Sequence, residues 1–100
     1  MNINALGMVE VSGTTAAIDA LDLMCKAADV TLLTWEKRLG GRLVTVVVTG
    51  SVSDAQAAVD AVMRSCISKP VAHAVIASPH AETKRIIEMS AANHNIDLDD

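Results

Sequence analysis

The stretch from Trp35 to Gly50, WEKRLGGRLVTVVVTG, decides the fold. It reads as a β-hairpin, with one strand entering Gly40-Gly41 and a β-branched run leaving it. Val44, Val46, Val47 and Val48 favour a pleated, mostly buried surface. Gly-Gly suits a two-residue primed turn, because neither residue meets a Cβ clash at positive φ. Lys37, Arg38 and Arg42 crowd this turn with positive charge. The expectation is a buried hairpin with a cationic, glycine-backboned tip, its strands spanning Val30–Lys37 and Arg42–Thr49.

Upstream of the hairpin, Thr14–Ala28 has helical spacing and Thr14 or Thr15 as a cap. Ile18, Leu21, Met24, Cys25 and Ala28 form its expected core side, with Asp19, Asp22, Lys26 and Asp29 on the polar stripe. Asp22 and Lys26 stand at the favourable i,i+4 spacing. Before the helix, Asn4–Val11 reads as a strand with apolar residues on both faces, and Gly7 in it predicts the close approach of another backbone. Downstream, Ser53-Asp54-Ala55-Gln56 fits a capping box for a helix running to about Ile67. Its polar stripe is Ser53, Gln56, Asp60 and Arg64, with Ala57, Val59, Ala61 and Val62 nearer the core. Val71–Ala77 is the fourth strand. Ser78 then fits an N-cap and Pro79 the first helical position, leading into Ala81–Ala92. The order β-α-β-β-α-β plus a terminal helix predicts an α+β, ferredoxin-like fold, a four-stranded antiparallel sheet with two helices on one face. Residues 1–92 form one expected domain, and 93–100 a polar, acidic tail.

The composition narrows the function classes. The chain has 100 residues, a size at which folding buries roughly two-thirds of the unfolded surface. Half of it is hydrophobic, but Trp35 is the sole aromatic residue, which leaves no platform for stacking bases. The net charge of −4 also argues against general nucleic-acid binding. Cys25 and Cys66 form neither a CxxC pair nor a disulfide framework and read as reduced, semi-buried thiols. The first residues lack a basic, signal-type start, and no apolar run has the length of a membrane span, so a cytosolic protein is expected.

The series NALGMVEV, MCKAADV, WEK with Gly-Gly, RLVTVVVTGSV and VIASPH resembles the hexamer-forming shell proteins of bacterial microcompartments. The likeness covers residues 4 to about 88 in order and near-correct spacing. It implies a structural, non-catalytic subunit without a cofactor. Cyclic hexamers would tile into facets around encapsulated enzymes, beside other shell proteins, with a central pore for small metabolites. By this resemblance Lys37, Arg38, Leu39, Gly40, Gly41 and Arg42 line the pore. Lys26 matches the lysine of the hexamer edge, and Ser78, Pro79 and His80 occupy the edge motif. The chain also departs from the family. Ala77 and Ser78 stand where a proline and an arginine are usual, removing a cationic fork able to bond a neighbour's carbonyls. The hairpin tip is one residue longer, and the second helix lacks the usual small-residue run.

Other chemistry has little support in the residues. His73, His80 and His94 have no metal-ligand spacing, and the tip has no cysteine for an iron–sulfur cluster. No third group orients Cys66 against a histidine as a nucleophile would need. The competing class is a small-ligand sensor on a ferredoxin-like scaffold, binding an anion at the basic tip. Assembly state separates the two classes.

Overall fold

The computed structural model describes residues 4–93, so His94 and the rest of the expected tail lie outside the described residues. Strand β1 spans Ala5–Ser12, helix α1 Thr14–Ala27, β2 Thr31–Arg38, β3 Leu43–Gly50, α2 Val52–Ser65, β4 Ala72–Ala77 and α3 Ala81–Asn93. The strands form one antiparallel sheet in the order β2-β3-β1-β4, the split βαβ arrangement expected from the element order. Register follows the apolar pattern, since a one-residue slip would turn the valines of β3 to the wrong face. Ser12 faces Leu43 at the hairpin end, while Ala5 faces both Gly50 and Ala77 at the far end.

Both sheet faces are packed. Val9, Val11, Val44, Val46 and Val48 meet α1 and α2 through Ala16, Ala17, Ala20, Met24, Ala58, Val59 and Val62. On the other face Leu6, Leu33 and Val47 pack with Ile87 of α3. Leu33 is the extra residue at a bulge, because Leu32 pairs with Val48 and Thr34 with Val47. The hydroxyls of Thr34 and Ser90 are 2.7 Å apart, and Ser90 also donates to Glu36, so α3 is tied along β2.

Several local expectations need correction. The residue before α1 is Gly13, with no side-chain cap, rather than Thr14 or Thr15. The packed face of α1 is its alanine face. Ile18 is 67% exposed and Cys25 is exposed too, because small side chains let the helix settle closer to the sheet on that side. Helix α2 is capped two residues earlier than Ser53: Ser51 Oγ accepts from the Asp54 N–H at 3.0 Å. It ends at Ser65, with Ala55 and Ala58 buried and Ala57 only partly so. Ser78 is not a helix cap. Its φ is 49°, its N–H donates to the Asn4 carbonyl at 3.0 Å, and α3 begins only at Ala81, beyond Pro79. Gly7 does admit another backbone, that of α2 in the same chain: a Cβ there would lie 3.2 Å from the Ala55 carbonyl oxygen.

Candidate functional site

The hairpin tip is longer than a two-residue turn. Arg38 and Leu43 form the last strand pair, leaving Leu39-Gly40-Gly41-Arg42 as the loop. Leu39, Gly40 and Gly41 have φ of 53°, 66° and 90°, and the Arg42 N–H closes the loop onto the Leu39 carbonyl at 3.3 Å. Two glycines accept this run without a Cβ penalty, whereas Leu39 carries a cost of about 1 kcal/mol or more. The Gly13 N–H donates to the Arg42 carbonyl at 2.9 Å, which moors the loop to the start of α1. Leu39 is 66% exposed.

Strand alternation separates the cations of the tip. Lys37 pairs with Val44 and lies toward α1, whereas Arg38 pairs with Leu43 and lies toward the α3 face. Lys37 rims an apolar groove of about 270 Å³ between α1 and β2, lined also by Ile18, Leu21, Leu32 and Trp35. Ile18, expected on the core side of α1, borders this groove instead, and its exposure leaves the groove open.

Lys26 and the segment 78–80 both lie toward the end of the sheet opposite the tip. Helix α1 starts beside the tip and ends near the far end, with Lys26 in its last turn. The Lys26 side chain is 74% exposed and its Nζ lies 2.8 Å from Asp22 Oδ2. That hydrogen bond, backed by the charge of Asp22, holds the ammonium above its ordinary pKa. Ser78 follows the end of β4 beside Asn4; Ser78 and His80 are exposed and Pro79 is buried. The eight residues of β1 separate these residues from the tip by about 25 Å.

Cys66 caps the end of α2, and its Sγ lies 3.7 Å from the Ala16 carbonyl. Burial pushes this thiol's pKa up. Among the described residues, no group of three or more His, Cys, Asp or Glu could hold a metal ion. No helix among them is long and apolar enough to cross a membrane.

Known proteins resemble this chain in sequence and in fold. The BMC domain family matches residues 5–79. The microcompartment shell protein PduA of Citrobacter freundii is 44% identical over 89 residues, covering 87% of this chain and 95% of that protein. The carboxysome shell protein CcmK2 of Synechococcus elongatus is 41% identical over 87 residues, covering 83% and 84%. A microcompartment protein of Desulfitobacterium hafniense has a solved structure that superposes with a TM-score of 0.75 at 26% identity. The match covers 89% of this chain, which spans about half (49%) of that protein. With this fold, this element order and these relatives, the chain belongs to the BMC-domain family of microcompartment shell proteins, as a structural subunit.

Proposed function

We propose that the chain forms cyclic hexamers that tile into the facets of a microcompartment shell in the cytoplasm, with the 37–42 tips around a central pore. The observation that carries this reading is the separation of the two candidate sets. The cationic tip stands at one end of the sheet, and Lys26 with Ser78, Pro79 and His80 at the other. A disc needs this polarity, with one end of each subunit at the axis and the other at the rim. A ring also needs two different surfaces that meet head to tail. Apolar surface is exposed at both edges of the sheet: Ile18 over the groove beside β2, and Val71, 58% exposed, leading into β4.

At the axis, backbone N–H groups of the glycine loop and the Arg38 and Arg42 side chains would favour anionic or polar metabolites over cations. Leu39 is the competing element, since leucines meeting at the axis would form a dewetting plug. At the rim, the Lys26 ammonium on its flexible stem would lie along a neighbouring hexamer and donate to carbonyls there. Other shell proteins and the enclosed enzymes are the expected partners.

Native mass spectrometry tests the ring, and electron microscopy of concentrated protein tests the tiling. Monomer alone at high micromolar concentration would refute the hexamer. For the pore, Arg38→Glu should lower anion flux through assembled shells; a seal opened only by Leu39→Ala would refute the polar pore.

A further inference from the structure

Helix α3 packs along β2, and on the same sheet face the β4 residues Ala72, Ala74 and Ile76 remain exposed. In the hairpin half of this open face lies a cleft of about 290 Å³, lined by Met8, Glu10, Arg38, Thr45, Ala72 and His73 among others. The pairing of the strands places Met8, Glu10, Arg38, Thr45 and Ala72 on one face, so the cleft joins residues of four different strands.

The polar groups in it are incompletely paired. Glu10 is half-buried, and among the described residues its carboxylate accepts one hydrogen bond, from Thr45 Oγ1 to Oε2 at 3.3 Å. The Arg38 side chain has no hydrogen bond or ion pair with any described residue, and it forms no salt bridge with Glu10 although both line the cleft. A guanidinium and a carboxylate that share a cavity without touching leave a gap that a third group can bridge. A simple anion would be drawn to Arg38 and repelled by Glu10; a simple cation would meet the reverse. A molecule carrying both charges satisfies each side.

We propose that this cleft binds a small zwitterion of the amino-acid type, with its carboxylate on Arg38 and its ammonium on Glu10. The planar guanidinium fork matches a carboxylate in bidentate fashion. The free Glu10 oxygen accepts from the ammonium, and Met8 and Ala72 supply an apolar floor for a short aliphatic group. The volume falls just under the usual range for ligand cavities, which suits a small ligand. The open site keeps the charges partly solvated, so the affinity is weak. The site is complete within one chain. Only its consequence for transport, a loading position beside the opening, rests on the hexameric pore proposed above.

The test uses protein labelled with carbon-13 at the methionine methyls, titrated with L-alanine and, separately, with propionate and ethylamine as its single-charge halves. L-alanine should shift the Met8 methyl saturably, and each half should bind about tenfold more weakly or worse, as expected for losing one charged hydrogen bond. Arg38→Gln and Glu10→Gln should each weaken L-alanine binding by about the same factor, while Lys37→Gln, on the opposite face, should leave it unchanged. An unmoved Met8 methyl, a response to propionate equal to that for L-alanine, or full binding in Glu10→Gln would overturn the site. Native mass is measured on the same samples. A hexamer that fails to bind overturns the site and leaves the ring standing; a monomer that binds does the opposite.

Discussion

Ser51 and Asp54 hold each other in a reciprocal cap. Ser51 Oγ accepts the Asp54 N–H at 3.0 Å and donates its own proton to Asp54 Oδ2 at 2.9 Å. The other Asp54 oxygen accepts the Asp29 N–H at 3.3 Å, joining the start of α2 to the loop after α1. Ser51→Ala should therefore lower unfolding stability by about 1 kcal/mol. Ser53→Ala should change it by less than about 0.5 kcal/mol, as for a surface site. Urea unfolding of the two variants checks the contrast; equal losses would place the cap elsewhere.

Gly50 ends β3 directly against the loop between α1 and β2. A Cβ there would lie 2.8 Å from the Asp29 carbonyl oxygen and 3.1 Å from a Val30 methyl. The first contact is with backbone, which cannot swing aside. Gly50→Ala should cost about 1–3 kcal/mol, the range for overpacking, and a shift of the thermal midpoint reports it. An unshifted midpoint would mean that the loop yields freely.

Lys26→Asp should leave the fold intact, because the side chain is largely solvent-exposed and its one ion-pair partner among the described residues is Asp22. The new like-charge pair with Asp22 should cost only a few tenths of a kcal/mol. The tiling proposed above, however, should be lost. Sheets as extensive in the variant as in the parent, seen by electron microscopy, would reduce Lys26 to a helix-surface lysine.

The two thiols should differ in reactivity. Cys25 is exposed, whereas Cys66 is half-buried and burial raises its pKa. A raised pKa leaves less of the nucleophilic thiolate at a given pH. Iodoacetamide at mildly alkaline pH should thus modify Cys25 first, as read by peptide mass spectrometry. The linkage runs in the same direction: a folded-state pKa above the unfolded one gives stability that is present at lower pH and lost as pH rises through the thiol range. Cys66→Ala should flatten that alkaline slope, and an unchanged slope would remove the claim.

How much of this was legible in the sequence depended on the range of the interaction. The strands, the helices and their order followed from local periodicity. The caps did not, because Ser51-Val52-Ser53-Asp54 and Ser53-Asp54-Ala55-Gln56 offer two overlapping boxes. The choice falls to Ser51 because β3 stops at Gly50, against the Asp29 carbonyl. The face of α1 was equally undetermined. A helical wheel favours Ile18, but the alanine face allows the closest approach to the sheet and leaves Ile18 outside.

The candidate site divides the same way. The cationic glycine tip and the family series are contiguous in the chain, so sequence alone exposed them. That the tip and Lys26 stand at opposite ends of the molecule was decided by the antiparallel register of β1 with β3 and β4. Glu10 and Arg38 share a cleft only because β3 holds β1 and β2 on either side of it. Chain-local spacing carries hydrogen-bond periodicity and turn sterics; which distant charges share a cavity is set by strand order, which depends on how the whole apolar surface is buried at once.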